Sequence, residues 1–187
     1  MGETPEQLWE RAHGALRTPP VEEWPQWPFV GPVTPKALEP PSEERVRHGM
    51  GGVDCWRCER TDDTYFWSDA HWRLSALDEP NGLPVVVVLE TRAHYDFPAL
   101  PDVLAAELGP TLLRVDRAVR SVGHIGNVHV CRWGDGSEHF HVWFLARPER
   151  MPQLSTSFAA IWEDVLPPLP DEIWRANLDA VAAAMRT

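Results

Sequence analysis

Two small groups of residues in this 187-residue chain could do chemistry. The first is His139-Phe140-His141. From Glu138 onward the side chains alternate: His139, His141 and Trp143 fall on one side, Phe140, Val142 and Phe144 on the other. A period of two is that of a β-strand, and aromatic and branched residues suit its half-buried surface. A single buried histidine is ordinarily a satisfied core residue. Two at i and i+2 on one strand face are candidates for nucleophilic or ligand chemistry. Just before them, Gly134-Asp135-Gly136-Ser137 is a turn whose flexible backbone can present amides to an anion.

The second group is Cys55-Trp-Arg-Cys58. Three cysteines, an odd number, do not make a disulfide framework, and in a reducing compartment this spacing reads as metal or redox chemistry. A redox pair prefers to open a helix after a strand. Here the pair follows Gly51-Gly-Val-Asp54 and precedes a charged turn, so metal is the better reading. A closed zinc site takes four nitrogen or sulfur ligands. Cys131 lies within an expected strand and is a poor third, so histidine has to supply the rest.

These groups need elements to hold them. Pro84–Leu89 is a continuous apolar run, consistent with a strand buried on both faces. Thr64–Ser68, Trp72–Leu77 and Ile125–Trp133 read as further strands, and His139–Ala146 pairs with the last of these across the Gly134–Gly136 turn. Leu100–Val122 carries Leu104, Leu108, Leu112, Val115 and Val119 at helical spacing, with Gly109-Pro110 expected to kink or split it. Short helices are expected over Glu6–Leu16 and Phe158–Val165. Asp171–Met185 reads as a longer final helix with acids at its positive end. Strands, a long helix, strands and then helices make an α+β chain with a largely antiparallel sheet. Residues 1–50 hold nine of the 19 prolines, interleaved with Trp9, Trp24 and Trp27, which reads as an extended arm packing its aromatics on the domain or a sister subunit. Gly49-Met-Gly-Gly52 reads as a hinge. The expected division is an arm over 1–50, a domain over 51–150 and a C-terminal helical extension over 151–187.

A net charge of −11 argues against a sequence-independent nucleic-acid binder, which carries a basic footprint. A phosphate-bearing small molecule remains open, since local amides can outweigh the global sign. No run approaches the ~20 apolar residues that span a membrane, and the acidic start is no secretory signal. A cytoplasmic location follows by default.

The stretch from about Cys55 to Arg147 resembles the histidine-triad superfamily. The family's motif of three alternating histidines reads here His139-Phe-His141-Val-Trp143-Phe-Leu145, with Trp143 in the third place. Asn127, Gly134, Gly136 and Ser137 are similar to the family's upstream Asn and Gly/Ser-rich turn. The resemblance implies an antiparallel sheet packed with one long helix, a nucleotide or nucleotide derivative as ligand, and a two-fold homodimer. It implies that His141 is the nucleophile, attacking an α-phosphorus to form a nucleotidyl-histidine. Asn127, Gly136, Ser137 and Trp143 would face the phosphate. Branches such as galactose-1-phosphate uridylyltransferase bind a zinc ion through a CxxC pair, a His after the buried strand and the first triad His. Those places are filled by Cys55, Cys58, His94 and His139, which implies a structural zinc.

Trp143 is the departure. An indole has one N–H donor and no basic nitrogen, so it cannot act as a general acid, a role ordinarily worth about 10²–10⁴-fold. The expectation is a nucleotide hydrolase or nucleotidyltransferase using His141, with Trp143 leaving open a transferase or specialised lyase with an altered leaving group or a weak hydrolase. The alternatives are a nucleotide-binding or interaction module that lost catalysis, and a zinc-dependent assembly protein whose arm grips a partner. His13, His48, His71, His124 and His129 read as structural or solvated.

Overall fold

The computed structural model describes residues 2–187. The apolar run becomes β3 (Val86–Thr91), with all six residues buried. It pairs with β2 (Trp72–Ala76) on one side and β5 (His141–Pro148) on the other. β1 (Trp67–Ser68) and β4 (Ile125–Cys131) close the two edges, giving the antiparallel order β1-β2-β3-β5-β4. The register sets Glu90 opposite His141, Val88 opposite Trp143 and Val87 opposite Phe144. His139 and Phe140 were expected inside the last strand but lie just ahead of it. There the Phe140 amide donates to the Tyr95 carbonyl at 2.6 Å.

The period of two sorts the side chains as expected. Val87, Leu89, Val142 and Phe144 face Val115, Val119, Leu178, Val181 and Met185, which come from the helices α3 (Asp102–Arg120) and α5 (Asp171–Met185). Each such side chain contributes about 1.5–3 kcal/mol on burial, so this face is the main source of stability. On the other face Val86, Leu145 and the half-buried Trp143 meet Leu154, Ala160, Trp162 and Leu166 around the helix α4 (Ala159–Val165). The protein is thus α+β, a five-stranded antiparallel sheet with a long helix.

Pro110 does not split α3. Proline removes one intrahelical hydrogen bond, but Leu104 before it and Val115, Ala118 and Val119 after it are buried and hold both halves on the sheet. The first helix, α1 (Pro5–Ala12), stops short of the expected Leu16, ahead of Gly14, and buries no residue. A capping box between Thr4 and Gln7 starts it.

The arm's tryptophans pack on their own chain. Trp24 and Trp27 lie 5.7 and 5.4 Å from the Phe158 ring, the Trp162 indole donates to the Gln26 carbonyl at 2.7 Å, and Trp9 donates to the Leu38 carbonyl. At the arm's end the His48 amide donates to the Gly136 carbonyl and the Glu138 amide to the His48 carbonyl, both at 3.0 Å. Residues around 48 thus belong to the wall of the motif turn. Among the described residues no helix is long and apolar enough to cross a membrane.

Candidate metal centre and active site

Cys55 starts the one-turn helix α2 (Trp56–Glu59), and that turn brings Cys58 back beside it. The pair does open a helix, contrary to expectation, yet two histidines join it, which a redox pair does not require. His94 arrives three residues after β3, His139 two before β5. The ligand atoms of all four lie within 4.8 Å of one another. His139 Nδ1 is 3.4 Å from both thiol sulfurs, and His94 Nδ1 is 3.6 Å from Cys58 Sγ. A tetrahedral zinc with Zn–S near 2.3 Å and Zn–N near 2.0–2.1 Å has S···N edges of about 3.5 Å, so the donor set fits that ion by type and by size.

The surroundings orient these ligands. His139 donates from Nε2 to the Thr91 carbonyl at 2.7 Å, which leaves the Nδ1 lone pair facing the sulfurs. Burial pushes His139 down to about 4 against the pull of the Thr91 carbonyl, with His94 adding to the fall, so the ring is neutral as a ligand must be. Burial and then the Cys55 hydrogen bond push the Cys58 thiol up to about 11, and a bound dication would reverse this by taking the thiolate. Glu138 Oε1 lies 3.5 Å from His94 Nε2 and accepts from the Gly51 amide at 3.0 Å. Gly49 is at φ +73°, and a Cβ there would stand 3.0 Å from Cys55 Cβ and 3.1 Å from its sulfur. What reads in sequence as a hinge is a close approach of backbone to the metal group.

His141, buried at the start of β5, donates from Nδ1 to the His139 carbonyl at 2.8 Å. The hydrogen bond assigns that tautomer, and Nε2 is left as the basic nitrogen. Burial lowers its pKa, opposed by the His139 carbonyl and then the Trp133 backbone, and helped by the Arg57 and Arg132 charges. Ser137 Oγ is buried without a partner in the protein. Gly136 is exposed and spends its carbonyl on His48. Trp143 shares the face of His141, packs into the apolar cluster with Trp162, and tilts 57° to the exposed Trp133 at 6.3 Å. Asn127 is not brought here. It stands opposite Arg147, six residues along the strand from His141 or about 20 Å, and accepts from Arg120 at 3.3 Å.

Two residues of this face escaped the sequence reading. Glu90, fully buried, is the cross-strand neighbour of His141 and touches Arg57, which lies between the two cysteines. Burial lowers Arg57 to about 10, so it stays cationic at neutral pH. Arg73, opposite Glu90, continues the row and is paired with Asp62 at 2.8 Å. The legible signal was Glu90 itself, a charge ending an apolar run that must be buried.

No family model matches the sequence, and no curated protein matches it. Solved structures do. The chain is similar to a hypothetical histidine triad nucleotide-binding protein from Sulfolobus tokodaii, at 14% identity over 71% of this chain and 92% of that one, with a TM-score of 0.53. It is similar to a zinc-bound histidine triad family protein from Mycobacterium smegmatis, at 17% identity over 66% and 84% of the two chains and a TM-score of 0.46. A uridylyltransferase structure matches at 15% identity over 72% of this chain and 45% of that one, with a TM-score of 0.43. With its sheet order, its long helix and its paired histidines, the chain has the fold of the histidine-triad proteins.

Proposed function

We propose that the protein is a zinc-containing nucleotidyl hydrolase or nucleotidyltransferase acting at an α-phosphate through His141. The observation that carries this is the His141 ring, held at Nδ1 by the His139 carbonyl, which leaves Nε2 as the nitrogen for attack. In the forward step the Nε2 lone pair forms a P–N bond as the bond from phosphorus to the leaving oxygen breaks. The positive charge left on the imidazole is met at Nδ1–H by the His139 carbonyl. Water or a second acceptor then attacks phosphorus and gives up its proton to solvent, as the P–N bond breaks and its electron pair returns to Nε2. Ser137 Oγ is the candidate donor to a non-bridging oxygen, as its hydroxyl is buried and has no protein partner. Trp143 supplies no proton, so the reading favours leaving groups stable as anions, such as phosphates, over alcohols or amines.

Cys55, Cys58, His94 and His139 would hold the zinc, whose role is structural: it ties α2 and the residue-94 loop to the start of the nucleophile's strand. Three free cysteines suit a reducing, cytoplasmic setting. Turnover of dinucleoside polyphosphates, nucleotide sugars and nucleoside phosphoramidates tests the proposal. Wild-type protein should cleave at least one class, and His141→Ala should lose more than about a thousandfold of that rate. No turnover of any of them counts against it.

The packing of Trp143 into the apolar cluster with Trp162 and Leu145 favours a second reading, a nucleotide-binding module without catalysis. It predicts nucleotide affinity unchanged in His141→Ala and no covalent intermediate.

A further inference from the structure

We propose that Arg57 is an anion-binding residue of the His141 site, released from Glu90 to receive a phosphoryl group. The inference rests on the nucleotidyl reading above for the identity of the anion as part of a nucleotide. It starts from a buried charge cluster that neither the fold nor the metal centre requires. Glu90 is fully buried in the central strand, and Arg57 is 6% exposed. The two touch, but Arg57 Nε and Glu90 Oε1 are buried with no hydrogen-bond partner in the protein. A buried guanidinium N–H without an acceptor is costly, because its hydration has been lost and not replaced. Such a donor is explained when a ligand brings the acceptor.

Its place fits that role. Cross-strand neighbours on one sheet face have Cβ atoms about 5 Å apart, so the carboxylate that Arg57 touches belongs to the residue beside His141. The local charge fits as well. Arg57, Arg73 and Arg92 pair with Glu90 and Asp62, three guanidiniums against two carboxylates, in a chain whose net charge is −11. Arginine is the residue suited to this task, since its planar fork grips phosphate bidentately and stays charged when buried. The guanidinium also stacks 4.4 Å from the Trp56 ring centroid, which holds its plane while one partner replaces another. Arg57 is two residues from Cys55 and next to Cys58, so whatever fixes those ligands fixes the root of this side chain.

A pair that merely stabilised the fold would weaken in the same way whichever partner was removed. An anion site with its own internal counter-ion responds with opposite signs. The test is isothermal titration of the full, zinc-loaded chain with AMP and, separately, inorganic phosphate, with zinc content measured on every variant. Arg57→Met should weaken AMP binding by about tenfold or more, the scale of one lost charged hydrogen bond. Glu90→Gln should tighten it several-fold, the double variant should fall between, and Arg57→Lys should keep part of the affinity, all with one zinc per chain. Should Arg57→Met fail to fold, Glu90→Gln and Arg57→Lys carry the decision. Both single variants shifting affinity the same way, or both staying within twofold of wild type, overturns the proposal. Phosphate binding with the opposite-sign pattern but no AMP binding supports the anion site and counts against the nucleotide reading. Binding of neither ligand overturns both.

Discussion

At Gly49 the backbone runs through φ +73° with Cys55 sulfur only 3.1 Å from where a Cβ would sit. Gly49→Ala therefore meets two penalties: a left-handed conformation costing roughly 1–2 kcal/mol, and a clash inside the ligand group. It should lower zinc affinity and thermal stability together, measured by metal analysis and calorimetry; wild-type values for both would contradict the placement of the ligands. Cys55→Ser is the more drastic change. Binding of a structural zinc is worth on the order of 10 kcal/mol and is folding energy. The variant should lose metal and melt earlier, and a chelator should destabilise wild type but leave the variant's melting unchanged. At this scale the grouping of Cys55, Cys58, His94 and His139 was legible. Cys55 and Cys58 announced a ligand pair by spacing, and the resemblance supplied His94 and His139. Arg57 and Glu90 were not legible as partners, because nothing in local spacing says that α2 lies over β3. Asn127 was legible only by analogy, and the register of β4 against β5 takes it to the far end of the strand.

Among the elements, β4 carries a titration that can be read out. His129 is half-buried there, and burial, with Arg147 adding to it, holds its imidazole below the ordinary value. A histidine with a depressed folded pKa contributes stability that is fully present above the unfolded pKa of about 6.5 and is lost as pH falls through the folded pKa. Stability measured by denaturant unfolding should therefore fall with acid below about pH 6.5. His129→Gln should flatten that part of the profile, and an unchanged slope would rule out His129 as its source. The elements themselves followed from periodicity. The final helix matches its expected bounds and the central strand lies on the apolar run, while the motif strand starts two residues later than the alternation put it. The expected split at Pro110 does not occur and the first helix ends before residues 13–16, while Thr64–Ser68 is strand only at Trp67–Ser68 and His139 and Phe140 lie ahead of β5. Proline's local preference yielded to packing on both sides in the first case, and a helix with no buried face had nothing to extend it past Gly14 in the second.

For the whole molecule, the surplus of aromatics is largely absorbed within one chain. Trp24, Trp27, Phe158 and Trp162 form a layer that seats the arm on the C-terminal extension, and that extension covers Trp143 and Leu145. Removing residues 1–45 should destabilise α4 and expose this cluster, raising the binding of a hydrophobic dye; an unchanged signal would mean the arm is not seated there. A two-fold homodimer remains the proposal that the resemblance makes. Its interface would fall on α3, where Val103 and Leu113 stand exposed, rather than on the arm. Light scattering should then give twice the 21.2 kDa of one chain, and a monomeric mass at micromolar concentration would reject it.

The central claim is the nucleophilic role of His141, and the most direct measurement is mass spectrometry of the protein quenched during turnover of an α-labelled dinucleoside polyphosphate. A nucleotidyl group on the peptide that holds His141, absent from His141→Ala, is the predicted result. Label released into product with no protein-bound nucleotide at any quench time, or label on another residue, would contradict it.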